Sequence, residues 1–252
     1  MQMQEIKEFM KLLSEESGKI IRGHFRTDFS IESKIDESPV TIADKKAEEK
    51  MRELIAMYFP KHGILGEEFG LANEDAEYRW VLDPIDGTKS FICGTVTFGT
   101  LIALLKNGEP VAGVINQPIL NEFLFGDNLT AELNGIKVKM RDCVSLSDAV
   151  LLTTDHLNIA QYQDREKFNR LAHSVKLYRN WGDCYGYYLL ATGYADIMID
   201  PIMSVWDTMA LIPIINGAGG IITDYQGNDP VKGNSVIAAS VNIHKNVVEI
   251  LN

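Results

Sequence analysis

Apolar residues recur at helical spacing through residues 5 to 25, where Ile6, Phe9, Met10, Leu13, Ile20 and Ile21, with Ser17 in register, form one face. A charged, irregular stretch from Arg26 to Glu37 follows. Ser38-Pro39-Val40 then leads into Thr41, a predicted N-cap, with Asp44 three residues on in the capping-box position. The second predicted helix turns Ala47, Met51, Leu54, Ile55 and Tyr58 inward, and Pro60 stops it.

The period then shortens to that of strands. Trp80–Asp83 is a short apolar run that Pro84 is expected to end. Residues 98–105 and 111–117 flank Asn107-Gly108, a hairpin turn, and Asn134-Gly135 predicts another after the strand Glu122–Phe125. This half reads as helices on a mostly antiparallel sheet. Beyond about residue 146 strands and helices alternate. Strands are expected at 150–153, 175–178, 195–199, 221–224 and 236–239. Helices are expected at 164–173, 185–192, 205–216 and 241–251, with Gly193 and Gly217 closing the second and third. Residues 1–145 and 146–252 are thus expected as two halves of one compact unit, with no repeat or flexible linker between them.

Composition adds limits to this picture. The chain has 252 residues, 46% hydrophobic and 23% charged, ordinary for a globular protein with ample core. No apolar run reaches the roughly 18–20 residues that span a bilayer. Met1-Gln2-Met3-Gln4-Glu5 lacks a secretory pattern, so a cytoplasmic protein is expected. A formal charge of −11 repels nucleic acid and anionic membranes, so neither is an expected partner. Cys93, Cys143 and Cys184 form no Cys-x-x-Cys pair, which argues against a disulfide framework or zinc cluster. No His-x-x-x-His spacing joins His156, His173 and His244.

An acidic protein binds an anion through a metal, a helix N-terminus or local basic groups, and this sequence offers the first two clearly. Magnesium takes hard oxygen ligands, usually a few carboxylates with waters and a phosphate oxygen. Asp83-Pro84-Ile85-Asp86-Gly87-Thr88 suits it: Asp83 ends an apolar strand, the turn returns Asp86 to the same point, and Ile85 offers its carbonyl. Gly87 permits close backbone approach, and the Gly87 and Thr88 amides can face a phosphate. Asp-Pro and Asp-Gly are also plain turn formers. Further acidic positions fit the same site. Glu67 follows Ile64-Leu65-Gly66, Asp207 opens a helix after Trp206, and Asp44 opens another; for the last two, a helix-terminal carboxylate is the ordinary alternative.

Taken together, Gly66-Glu67-Glu68, Asp83-Pro84-Ile85-Asp86-Gly87-Thr88, and Trp206-Asp207 followed by Ala210 and Gly217-Ala218-Gly219-Gly220 resemble the inositol monophosphatase-like superfamily of lithium-sensitive, magnesium-dependent phosphatases, over nearly the whole chain. The resemblance implies an α/β (α+β) fold, a layered αβαβα sandwich, and usually a homodimer. It also implies a small-molecule phosphate ester as substrate and two to three magnesium ions per site. Carried over residue by residue, Glu67, Asp83 and the Ile85 carbonyl hold the first ion. Asp83, Asp86 and Asp207 hold the second, and Glu67 with waters a weaker third. Thr88 and Glu67 orient the attacking water, Asp44 is hydrogen-bonded to Thr88, and Asp86, Gly87 and Thr88 meet the phosphate.

Substrate choice is expected around Arg179, Gly182, Asp183, Cys184 and Asp200. Gly182-Asp183-Cys184-Tyr185 is similar to the histidinol-phosphate phosphatase branch, as are residues 86–91 and 98–104. A carboxylate beside a phosphate pocket is repulsive unless the substrate carries a cation, which histidinol phosphate does and inositol phosphate does not. Asp183 has an alternative as a helix N-cap. Trp181 stands where that branch often has a smaller residue, and either narrows the pocket or packs beneath the loop. The expected activity is hydrolysis of histidinol phosphate to histidinol, a step of histidine biosynthesis, by metal-activated water. An inositol-1-monophosphatase is the alternative, and a catalytically silent metal- or phosphate-binding protein a more distant one.

Overall fold

The computed structural model describes residues 2–27, 31–33 and 39–252, with only the backbone of 31–33 and 39. Much of the expected irregular stretch from Arg26 to Glu37 lies outside the described residues. The first half contains α1 (Met3–His24), the ribbon β1 (Ile31–Ser33) and β2 (Pro39–Thr41), α2 (Ile42–Tyr58), β3 (Gly63–Gly66), β4 (Gly70–Ala72), β5 (Tyr78–Asp86), α3 (Thr88–Ile92), β6 (Gly99–Lys106), β7 (Glu109–Gln117), β8 (Glu122–Gly126), β9 (Ala131–Leu133) and β10 (Ile136–Val138). The second contains β11 (Val150–Leu152), α4 (His156–Tyr162), α5 (Arg165–Ser174), β12 (Leu177–Arg179), α6 (Asp183–Ala191), β13 (Ile197–Asp200), α7 (Val205–Thr208), α8 (Leu211–Gly217), β14 (Gly220–Thr223), β15 (Val236–Ser240) and α9 (Val241–Leu251).

Alternation along β5 explains the layering. Trp80 and Leu82 point to one face, where they meet Phe9, Met10 and Leu13 of α1 and Met51 and Ile55 of α2. Val81 points to the other, toward Leu190 of α6 and Leu211, Ile214 and Ile215 of α8. Those helices also cover Met198, Val236 and Ala238 of the second sheet. The far face of that sheet packs Ile197, Ile199 and Ala239 against Phe168 and Leu171 of α5 and Ile243 and Val247 of α9. The layers are therefore αβαβα. The first sheet runs β10-β9-β8-β7-β6-β5-β3-β4 and is antiparallel except between β3 and β5. The second runs β12-β11-β13-β15-β14, with parallel pairing on both sides of β11.

Local chemistry agrees with the sequence at several points. Thr41 caps α2 by accepting from Ala43 N at 3.1 Å, and Asp44 completes the box by accepting from Thr41 N at 2.9 Å. Asn107-Gly108 and Asn134-Gly135 turn their hairpins with all four residues at positive φ. Three expectations fail, the first at Tyr58, which is exposed at the end of α2 and does not turn inward. The helix expected over 205–216 is divided into α7 and α8, because Pro213 has no N–H to offer the carbonyl of Met209. The strand expected to end at Pro84 continues to Asp86, and the way it does so builds the site.

Candidate metal and phosphate site

Asp83 pairs with Leu101 of β6 and Asp86 pairs with Gly99, so Pro84 and Ile85 together stand opposite Thr100. This is a bulge, where proline's missing donor does no harm, and Thr100 Oγ1 secures it by donating to the Pro84 carbonyl at 2.8 Å. In a regular strand, residues three apart point to opposite faces. The bulge reverses that, bringing Asp83 and Asp86 to one side. Asp207 arrives from α7, held by a capping box in which Ser204 N donates to it at 2.8 Å. Asp83, Asp86 and Asp207 each bring a ligand atom within 4.8 Å of the others. Glu67 follows β3 directly, its own N–H donating to the Leu82 carbonyl at 3.1 Å.

Burial and like charge act together here. Burial pushes the Asp83 carboxyl well above its usual range, and Glu67, Asp86 and Asp207 add to it. Asp86 is raised well above its usual range by burial, then by Asp183 and Asp207. Burial raises Asp207 to about 7, with Glu67 contributing, and Asp44 to about 6, again with Glu67 contributing. Asp83 Oδ1 is buried with no hydrogen-bond partner. Such a set prefers a divalent cation among its oxygens.

Beside the carboxylates, Gly87 at φ +86° caps α3, whose first turn presents the amides of the Gly87-Thr88 segment. Thr88 Oγ1 donates to the Ile85 carbonyl at 3.1 Å. The expected bond between Asp44 and Thr88 is absent: Asp44 accepts from the amide and hydroxyl of Thr41, and its Oδ1 has no partner. The capping box consumes one oxygen, and a carbonyl three residues back takes the threonine proton.

Two adjoining cavities open from this centre. An inner one of about 130 Å³ is lined by Asp86, Asp155, Asp183, Tyr187, Asp200 and Asp207 among others. An outer one of about 480 Å³ brings in Glu67, Thr88, Lys89, Ser90, Asn180 and Trp181. Asp183 is not the N-cap of α6, a place taken by Gly182. Held at φ +49° by its own N–H donating to Thr154 Oγ1 at 2.9 Å, it turns its carboxylate to Ser90 Oγ at 3.1 Å. That carboxylate crosses Gly87 so closely that a Cβ there would lie 2.7 Å from it. Burial raises its titration to about 6. Asp200 is buried at the end of β13, accepting from Thr154 N and the Tyr187 hydroxyl at 3.1 and 2.9 Å.

Cys184 and Arg179 differ from expectation. The Cys184 thiol is buried, and burial pushes its ionisation up; its backbone N–H donates to Asp86 instead. Arg179 lines neither cavity and turns its guanidinium to the Tyr178 carbonyl at 2.7 Å, because the end of β12 points outward. Trp181 is half exposed on the wall of the outer cavity rather than packed under a loop. Thr154, Asp155 and Asn158 line both cavities and belong to none of the motifs that stand out in the sequence. The signal was there: Asp155 ahead of Leu157 and Ile159 is the N-cap of α4.

Clustered carboxylates at a strand bulge, a helix N-terminus beside them and a cavity beyond are the equipment of a phosphatase. The particular family follows from comparison. The chain matches the model of the inositol monophosphatase family over residues 2–252 and belongs to that family. It is 45% identical to the bifunctional phosphatase IMPL2, chloroplastic, of Arabidopsis thaliana, over 92% of this chain and 68% of that one. It is 37% identical to the histidinol-phosphatase of Chlorobaculum parvum, over 94% and 92% of the two chains. Among solved structures, an inositol monophosphatase from Zymomonas mobilis superposes with a TM-score of 0.88 at 36% identity, covering 98% of both chains. Among the described residues no helix is long and apolar enough to cross a membrane.

Proposed function

We propose that this phosphatase hydrolyses histidinol phosphate to histidinol and phosphate with magnesium in the carboxylate cluster. The observation that carries the substrate is the make-up of the inner cavity, whose walls hold Asp155, Asp183 and Asp200 and, among the described residues, no Lys, Arg or His. A purely hydroxylic leaving group gives these carboxylates nothing to neutralise; an ammonium or imidazolium does. The similarity to a histidinol-phosphatase across nearly both chains supports the same reading.

Asp83, Asp86, Asp207, Glu67 and the Ile85 carbonyl are the oxygens that would hold two to three ions. The unpartnered Asp83 Oδ1 and the mutual closeness of the aspartates fit a hard cation. Bound magnesium neutralises phosphate charge and makes a water nucleophilic near neutral pH. The Gly87 and Thr88 amides bind the phosphate oxygens, aided by the N-terminus of α3. Thr88 Oγ1, its proton given to Ile85, accepts a hydrogen bond from the attacking water, and Glu67 accepts the second. Asp183 receives the substrate ammonium while Ser90 holds its carboxylate in place.

Inositol 1-phosphate is the comparison substrate, because a structural neighbour at 36% identity bears that activity in its name. The test is kcat/KM for both esters with magnesium. Histidinol phosphate should be preferred, and Asp183→Asn should lower its kcat/KM by about tenfold or more, the loss of one charge-assisted bond, while sparing inositol 1-phosphate. A preference for inositol 1-phosphate would sink the substrate assignment; equal losses on both would make Asp183 structural.

A further inference from the structure

Glu67 stands on a three-residue turn between β3 and β4, and β4 is the edge strand of its sheet. Left to itself, such a turn moves, and Asp83, Asp86 and Asp207 repel the carboxylate it carries. Something must therefore hold the backbone. The fully buried Glu48 of α2 lies under the turn. Its Oε2 accepts from Glu68 N at 2.8 Å and its Oε1 from Phe69 N at 3.2 Å, on the two residues after Glu67. Arg52, one helical turn further, donates Nε to Glu48 Oε1 at 2.7 Å and Nη2 to the Gly70 carbonyl. One i,i+4 pair thus grips the three residues that follow Glu67, and the guanidinium neutralises the buried carboxylate so that it adds little to the negative field. Gly66 makes room: a Cβ there would lie 1.9 Å from Glu48 Oε1.

We propose that Glu48, braced by Arg52 and lodged against Gly66, is a positioning residue that fixes the turn so that Glu67 faces Asp83 before any cation binds. The proposal rests on the metal-holding role given to Glu67 above. Groups that orient metal ligands without touching the ion act mainly on metal affinity, by about 10–100-fold when removed.

The experiment is calorimetric titration of magnesium into metal-free protein, alongside kcat at saturating magnesium. Glu48→Ala should raise the magnesium dissociation constant by about 10–100-fold while kcat at saturation stays within a few-fold. Glu48→Gln, which keeps one acceptor oxygen but sets its NH2 against an N–H donor, should recover only part of that affinity. Gly66→Ala expels the carboxylate from the other side and should reproduce the loss even if Glu48→Ala does not fold. Arg141→Ala, which weakens a remote ion pair with Asp196, is the control for a merely structural effect and should leave magnesium affinity unchanged. Unchanged affinity in Glu48→Ala and Gly66→Ala, or an equal loss in the control, overturns the proposal. Wild-type protein that binds no magnesium defeats the metal role of Glu67 itself, a different result.

Discussion

Asp83 faces Glu67, Asp86 and Asp207 from a buried position, so Asp83→Asn should separate activity from stability. Carboxylates 4.8 Å apart, the limit for Asp83, Asp86 and Asp207, repel by about 3.5 kcal/mol per pair at an effective dielectric of about 20. Two such pairs at Asp83 give about 7 kcal/mol, within the range of a domain's whole stability. The metal-free protein relieves this by keeping a proton, and the Asp83 carboxyl therefore titrates well above the usual carboxylate range. A raised carboxyl favours the folded state fully only below the unfolded value. As pH climbs beyond it, the unfolded chain releases a proton that the folded chain retains. Stability then falls by about 1.4 kcal/mol per pH unit until the folded group ionises. Asparagine has no proton to hold and escapes that fall, less whatever its amide loses for want of a partner. In chelator at pH 8 we expect Asp83→Asn to be more stable than wild type by at least about 2 kcal/mol, or roughly 4–8 °C in Tm, with the gap closing by about pH 4. Turnover with magnesium should be abolished. Thermal melts across pH 4–8 in chelator read the first effect. A variant melting at or below wild type at pH 8, or a gap independent of pH, refutes the reasoning.

Asp207 titrates at about 7 when metal is absent, so protons compete with magnesium below that pH. The magnesium needed for half-maximal activity should rise by up to about tenfold per pH unit below 7, and saturating magnesium should move the acid limb of the rate profile downward; an acid limb indifferent to magnesium counts against this. Gly113 of β7 lies under α8, where a Cβ would come within 2.1 Å of the Ala210 carbonyl. Because that neighbour is backbone, Gly113→Ala should cost about 1–3 kcal/mol and also lower kcat by displacing the helices beside Asp207; an unchanged Tm would show that the layers yield. Arg141→Ala leaves the buried Asp196 carboxylate with the Val150 N–H as its one backbone donor and should cost about 3 kcal/mol in chemical denaturation, with kcat/KM of the folded protein intact.

The features legible in the sequence were those set by neighbours in the chain. The Thr41 cap, both Asn-Gly turns and the inward faces of α1 and α2 depend on spacing alone and hold, except at Tyr58, which is exposed at the end of α2. Pro84 reads as a stop because proline is normally excluded from a strand interior. Only the pairing with β6 shows that the residue opposite Thr100 needs no donor, so the strand survives and the bulge aligns Asp83 with Asp86. The same limit explains Asp44. A carboxylate in a first turn has a local partner in the cap and a distant one in Thr88, and the chain alone does not say which is met. Thr154, Asp155 and Asn158 are illegible as site residues in the sequence for the converse reason. They lie far along the chain from the aspartates and join them only because β11 runs parallel beside β13, bringing Thr154 N to Asp200.

The division of labour across the two sheets has a chemical consequence. Asp83, Asp86, Gly87 and Thr88 lie on one continuous segment, so the phosphate end is fixed by a single bulge and helix start. The leaving-group end is assembled from the ends of β11 and β13 and the start of α6, which carry Asp155, Asp200 and Asp183. The halves meet where Cys184 N donates to Asp86 and Ser90 Oγ to Asp183, so α6 is anchored through its backbone and one carboxylate. Charge at the alcohol end is nonetheless felt by the carboxylates around the phosphate, since Asp183 raises Asp86 and both Asp183 and Asp200 raise Asp207. Asp183 also makes contact, its carboxylate resting on Gly87. A cation held there neutralises the one carboxylate of the alcohol-facing wall that touches the phosphate segment. In a chain of formal charge −11, the amine of the proposed substrate would thereby enter the electrostatics of cleavage as well as recognition.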